Sequence, residues 1–370
     1  MSLKPYLVTL SIVALLLTLN ACRSLAYTLY PPDVGQLLNE RLQNPFADSW
    51  EMPVYLATNR DGDGRACNDK AFGVELNEQM RYGRCPVNVP KKHTVGALDT
   101  IDSPYGDPNT YFKFGPIESL EKDAFFSSLA NQPGDEILLF VHGFNVKFEE
   151  AANRAAQIGY DTKFQGPVVL FTWPAGAEDS FLSGILISQT YRKNRDNAQN
   201  TIDPFVEFMQ QLSDTGKRIH VVVHSMGHQI VLPGLAKLHA RDDDQLIGQL
   251  VLNAPDFATS DFEAITPHLI GISQRVTLYC SPGDNALVAS RELNNNHRVG
   301  LCKRVDGIDV INVNEVDSPA LGVGGLGHGY YSGRAVLTDL YQVLLGVDVD
   351  KRLFIRRSDT GGGEDYILRR

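Results

Sequence analysis

The sequence predicts an α/β fold: a mostly parallel central sheet with helices on both faces. Three observations carry that reading. Short apolar runs recur at Glu136–Val141, Pro167–Trp173, Ile219–Val223, Gln249–Asn253, Arg275–Cys280 and Gly307–Val313. Near-continuous apolar runs of this length suit strands buried on both faces. Among them lie Phe148–Tyr160, Ile202–Leu212 and Val336–Leu345, whose apolar residues fall at helical spacing. Strands alternating with helices argue for crossover connections and therefore a parallel sheet. The third observation is local. The run Ile219–Val223 ends in His224-Ser225-Met226-Gly227 and leads straight into a helix-like segment.

Taken in order, residues 1–21 read as an export signal. Lys4 supplies a positive start, and Tyr6–Leu19 is mostly apolar but shorter than the roughly 20 residues of a spanning helix. Leu19-Asn20-Ala21-Cys22 resembles a bacterial lipobox, with a small residue before the cysteine to be acylated and Asn20 as a less usual occupant. Lipid on Cys22 would anchor the chain without a spanning helix. A plain secretory signal is the alternative. Arg23, rather than an aspartate, follows Cys22. By resemblance to Gram-negative sorting, this favours the outer membrane of the cell envelope, facing the periplasm. Residues 22–50, with Pro31-Pro32, read as a membrane-proximal tether. Residues 51–347 are long enough for one large α/β domain, with N-terminal strands and loops in 51–134 and the core in 135–347. The remainder, 348–370, holds Leu353-Phe354-Ile355 and Tyr366-Ile367-Leu368 around Gly361-Gly362-Gly363. It fits a late hairpin and a frayed terminus equally.

Composition narrows the function classes. The formal charge is −10, and −11 once Lys4 leaves with residues 1–21. An acidic chain offers no basic footprint for nucleic acid. Cys67, Cys85, Cys280 and Cys302 remain beside Cys22. An even number in an exported chain suggests disulfides. Three connectivities are possible, and proximity along the chain favours Cys67–Cys85 and Cys280–Cys302. Asp61-Gly62-Asp63-Gly64 begins like a calcium loop but lacks the later ligands, so it reads as a tight turn. No metal and no organic cofactor is expected.

The candidate chemistry centres on Ser225. A strand ending in x-His-Ser-x-Gly and turning sharply into a helix resembles the nucleophile elbow of α/β-hydrolases, with Val223 standing where the full pattern has glycine. Such a turn lifts the hydroxyl above the sheet edge and aims the following amide, that of Met226, at the oxygen of a bound carbonyl. The same residues also fit an ordinary strand-to-helix turn. Glu136–Val141 ends in His142-Gly143-Phe144, which resembles an oxyanion loop and assigns the second donor to the Phe144 backbone. The usual hydrolase order is nucleophile, acid, histidine, so His142, which precedes Ser225, takes a structural part. That order favours Asp284 in Ser281-Pro282-Gly283-Asp284 as the acid, over Asp256 in Asn253-Ala254-Pro255-Asp256. Either aspartate alone could be a turn former. Only His297 and His328 follow Asp284. His297 sits in a polar run and reads as an exposed loop residue. His328 lies among glycines between the last strand of the apolar series and the last helix. Phe181–Ile187 fits both a wall of an acyl pocket and a core helix.

Val54–Arg60, Tyr82-Gly83, Phe140–Phe144, Phe171–Pro174, His224–Gly227, Ala254–Asp256, Thr277–Tyr279, Asp284–Leu287 and Gly327–Tyr331 extend the likeness colinearly over most of 51–345. Together they resemble the bacterial α/β-hydrolases of uncharacterised function, usually described as esterase/lipase-superfamily proteins. The resemblance implies the α/β-hydrolase fold, with Ser225 as nucleophile, His328 as base, Asp284 as its orienting acid, and the Phe144 and Met226 amides around the oxyanion. A serine hydroxyl alone is a poor nucleophile at neutral pH, which is why it needs the other two. The resemblance implies no natural substrate. The expectation is an exported, lipid-anchored serine hydrolase that cleaves small carboxylic esters or lipids through an acyl-enzyme. Its rival is a non-catalytic envelope lipoprotein that keeps the fold as a binding module.

Overall fold

The apolar runs pair side by side into one sheet. The computed structural model describes residues 51–101, 105–177, 184–240, 245–317 and 328–369, the side chains of 184–186 excepted. Residues 1–50, where the export signal, Cys22 and the tether were expected, lie outside the described residues, as do Phe181–Ser183 and Gly324–Gly327. The strands are β1 (Glu51–Arg60), β2 (Leu76–Asn88), β3 (Lys113–Phe114), β4 (Glu118–Leu120), β5 (Glu136–Val141), β6 (Val168–Thr172), β7 (Arg218–His224), β8 (Ile247–Asn253), β9 (Ser273–Cys280), β10 (Asp309–Asn312), β11 (Ile355–Arg357) and β12 (Tyr366–Leu368). Their order across the sheet is β11-β12-β10-β9-β8-β7-β5-β6-β1-β2-β3, with β4 on β2. Every neighbour from β12 to β1 runs parallel. Among the described residues, the antiparallel strand pairs lie towards the two edges.

Alternation along the strands divides the core into two layers. In β5, Ile137, Leu139 and Val141 join one apolar cluster, while Leu138 and Phe140 join the other. The first layer is covered by α4 (Ile202–Ser213), α5 (His228–His239) and α6 (Thr259–Ile272), through Phe205, Ile230 and Phe262. The second is covered by α2 (Phe148–Asp161) and α8 (Arg334–Leu344), through Phe148, Ala152 and Leu340. Each of the phenylalanine, leucine and isoleucine side chains, fully buried, contributes about 1.5–3 kcal/mol. Helices therefore lie on both faces, as the sequence predicts.

The expected stripes become α2, α4 and α8, with ends shifted by one or two residues. Three helices have no counterpart in the sequence reading, α1 (Lys122–Ala130), α6 and α7 (Asn285–Asn294), and α3 (Gly184–Asn200) runs well beyond the Phe181–Ile187 segment that the reading offered as a core helix or a pocket wall. In α3 the buried face mixes Tyr191 and Ala198 with two asparagines. Asn194 and Asn197 are buried and hydrogen-bond to loop backbone, so no apolar stripe announces the helix. Phe181–Ile187 enters the described residues only at the first turn of α3, where Ile187 is exposed.

The C-terminal segment is a hairpin on the sheet edge. Ile355 pairs with Leu368 and both are buried, while β12 lies parallel to β10. The Asp61–Gly64 segment is an irregular loop with a bend at Gly62, and the Asp61 carbonyl accepts from the Gly73 amide at 3.1 Å. Arg81 donates to the Gly62 carbonyl at 2.8 Å and to that of Arg60. Among the described residues, no helix is long and apolar enough to cross a membrane.

Candidate active site

Strand β7 delivers Ser225 at the carboxyl end of the parallel strands. Ser225 has φ 52°, in the left-handed region, and opens a 3-10 turn, Ser225–Gly227, that runs into α5. Such a conformation costs a residue with a β-carbon about 1–3 kcal/mol and persists only when its surroundings enforce it. Two glycines permit that enforcement. A β-carbon on Gly143 would lie 2.6 Å from the Ser225 Cβ, and one on Gly227 would lie 2.5 Å from the His142 carbonyl oxygen. Val223, where the full pattern has glycine, is wholly buried and packs into the core.

Three of the residues singled out in the sequence meet at this turn. The Ser225 hydroxyl lies 2.7 Å from His328 Nε2, and His328 Nδ1 lies 2.6 Å from Asp284 Oδ2. Asp284 is completely buried and caps α7, its Oδ1 accepting from the Leu287 amide at 3.1 Å. The cap holds one carboxylate oxygen and leaves the other for the imidazole. Burial by itself lowers the His328 pKa. The charge and hydrogen bond of Asp284, with smaller contributions from Asp256 and Asp317, outweigh it and leave the pKa raised above 6.5.

Two further histidines support the turn. His224 Nε2 lies 3.1 Å from the His328 carbonyl, and its ring stacks on Tyr331 with centroids 3.9 Å apart. His228 Nδ1 meets the Ser225 carbonyl at 2.7 Å. Burial holds the pKa of His224 well below 6.5 and takes that of His228 down to about 3, so both are neutral donors. Sequence reasoning gave neither a role, although both flank Ser225 closely.

The second loop is built from Gly143 to Val146. Asn145 has φ 55°, and its amide donates at 3.1 Å to Asn194 Oδ1 from α3, which also accepts from the Gly176 amide at 3.1 Å. The Phe144 amide donates to no acceptor among the described residues. Met226 stands in the first turn of its helix, where amides lack an intrahelical acceptor. Among the described residues, no group of three or more His, Cys, Asp or Glu side chains is arranged to hold a metal.

Asp256 and His297, the competitors, go elsewhere. The Asp256 carboxylate is buried and occupied by Tyr191 Oη at 2.9 Å, Ser290 Oγ at 2.5 Å and Arg298 Nε at 3.2 Å. Only its backbone touches the site, donating to the Ser225 carbonyl at 3.3 Å. His297 sits beside Thr259, its Nδ1 3.3 Å from the hydroxyl.

The four described cysteines pair as Cys67–Cys85 and Cys280–Cys302. The second bridge ends the strand that delivers Asp284, and the Ser281 amide bonds the Gly300 carbonyl at 3.0 Å beside it. Closing a loop of 22 residues stabilises by about 3 kcal/mol in the chain-entropy account. Catalysis is sensitive to displacements of about 1 Å. Cys280→Ser is therefore expected to lower both the thermal midpoint and turnover, whereas Cys67→Ser lowers mainly the midpoint. Thermal melts and rate measurements on the two variants check this. Unchanged turnover in a folded Cys280→Ser protein would separate the bridge from the site.

Among curated proteins, none matches this chain. Among solved structures, phospholipase PlaB from Legionella pneumophila is similar at 14% identity and a TM-score of 0.22, covering 54% of this chain and 43% of that one. The chain thus spans less than half the length of that protein, and a likeness at this level carries no inference about activity. The family described as alpha/beta hydrolase of unknown function (DUF900) matches residues 117–347, more than half of the chain, and the match takes in both loops and all three residues that meet at Ser225. The chain belongs to this family of alpha/beta hydrolases of unknown function.

Proposed function

We propose that this protein is a serine hydrolase that cleaves carboxylic esters through an acyl-enzyme. The observation that carries the reading is the continuous hydrogen-bonded line Asp284–His328–Ser225, at 2.6 and 2.7 Å, on a strained serine. His328 Nε2 takes the Ser225 proton as Oγ attacks the ester carbonyl, and Asp284 holds the imidazole and stabilises its cation. The amides of Phe144 and Met226 receive the oxyanion. His328 then returns the proton to the leaving alkoxide, and water releases the acyl group by the same steps in reverse roles. Every step is proton transfer or acyl transfer, so the mechanism calls on no metal and no organic cofactor.

The lipobox-like Leu19–Cys22 supports a lipid anchor on Cys22 and an envelope location, where a small ester or a lipid would be the substrate. A fluorophosphonate probe and a series of p-nitrophenyl esters of rising acyl length, applied to the full chain, test the reading. Labelling at Ser225 and turnover of at least one ester are expected. A folded protein that neither labels nor turns over would leave the binding-module alternative. Labelled palmitate is expected on the wild type and lost in Cys22→Ser, and label surviving that change would reject the anchor.

A further inference from the structure

Arg60 ends β1 and is fully buried, and its hydrogen-bond partners among the described residues are a hydroxyl, three carbonyls and an imidazole, with no carboxylate. A guanidinium has five N–H donors and no acceptor. Each has a partner here. Nε donates to Thr172 Oγ1 at 2.8 Å, and Nη1 to the carbonyls of Gly73 at 2.9 Å and Ala175 at 3.0 Å. Nη2 donates to the Val146 carbonyl at 2.7 Å and to His142 Nε2 at 3.3 Å. One side chain thus ties the β1–β2 loop, the end of β6 and both ends of the loop that carries Phe144.

The contact with His142 has a chemical consequence. Arg60 can only donate, so His142 Nε2 must accept. The Trp173 amide, 3.3 Å from the same nitrogen, makes the same demand, and the Thr172 hydroxyl, at 2.9 Å, can satisfy it. Burial, and then the charge of Arg60, hold the His142 pKa well below 6.5, so the ring is neutral and carries one proton. That proton sits on Nδ1, which faces the Gly143 carbonyl at 3.1 Å and donates to it. The Gly143 carbonyl and the Phe144 N–H belong to one planar trans peptide and point in opposite directions. Holding the carbonyl holds the N–H. The peptide is pressed close to the nucleophile, since Gly143 has no room for a β-carbon against Ser225.

We infer that Arg60 sets the tautomer of His142 and, through the Gly143 carbonyl, aims the Phe144 amide at the oxyanion. Both side chains are positioning residues, and the inference rests on the serine-hydrolase reading above. Asn194 holds the next amide of the same loop, that of Asn145, from the α3 side. Burial lowers the Arg60 pKa to about 9, which leaves it charged at neutral pH.

The test combines histidine 15N NMR on the full chain with kinetics. The His142 signals are assigned by their loss in His142→Gln. In the wild type His142 is expected as the Nδ1–H tautomer. In Arg60→Met the Nε2–H form should become populated. With a p-nitrophenyl ester that the wild type cleaves, kcat should then fall roughly ten- to a hundredfold, short of the loss expected on removing an oxyanion donor outright, with KM changed less than about threefold. Arg60→Lys, which keeps a donor with no acceptor, should retain the Nδ1–H form and more of kcat. A wild-type His142 protonated on Nε2 overturns the inference whether or not the variants fold. A folded Arg60→Met protein with unchanged tautomer, or with wild-type kcat, also overturns it. A wild type that turns over no ester would reject the hydrolase reading, while the tautomer would still judge the relay.

Discussion

Replacing Ser225 by alanine is expected to abolish labelling by a fluorophosphonate and to lower kcat by about 10⁴- to 10⁶-fold, with His328→Ala as severe. In the proposed mechanism the two act as a unit, one supplying the oxygen and the other removing its proton across 2.7 Å. Removing both should therefore cost little more than removing either. Stability should hardly move in Ser225→Ala, because the variant loses one hydroxyl and one hydrogen bond, worth about 1 kcal/mol. Mass spectrometry of labelled protein, a progress curve and a thermal melt on the same preparations decide the matter. Persistent labelling of folded Ser225→Ala would move the nucleophile elsewhere.

Asp284→Asn is expected to cost about 10⁴-fold in kcat with the fold retained, because an amide can donate to His328 Nδ1 and so stabilise the wrong tautomer. The pH profile should change as well. As the proposed base, His328 acts only when neutral, and its pKa in the wild type is raised above 6.5. The acid limb of kcat/KM should therefore lie above 6.5, with activity falling as pH drops through that raised pKa. Without the Asp284 charge the lowering by burial is less opposed, and the limb should move to lower pH. Asp256→Asn should behave differently. It weakens a buried pair with Arg298, and breaking such a pair by losing one charge typically costs about 3–5 kcal/mol. A lowered thermal midpoint with kcat largely kept is the expected result. If Asp256→Asn is inactive and Asp284→Asn active, the acid has been misassigned.

Some of this architecture was legible one segment at a time. The strands from β5 to β10 announce themselves because a strand buried on both faces must be apolar along its length. Helices α2, α4 and α8 announce themselves because each buries an apolar stripe. Helix α3 does not, since Asn194 and Asn197 face inward and are satisfied by distant backbone. The His-Ser-Met-Gly turn is a local motif. Asp284 and His328 could be named from chain order, but only the sheet brings them to Ser225.

By itself, then, the sequence determined the alternation of strands and helices, the position of the tight serine turn and the set of residues able to do acyl chemistry. Periodicity and turn chemistry act between near neighbours, so they are written locally. Tertiary structure alone decided which polar groups meet. Arg60 reaches its partners across 13 to 115 positions of chain, and Asp256 meets Tyr191 across 65. The parallel order β7-β5-β6-β1 lays the end of β1 beside those of β6 and β5, and it is there that a buried guanidinium, a neutral histidine and the loop before α2 become a single hydrogen-bonded unit. Hydrogen-bond partners in a dry interior are chosen by which strands lie side by side.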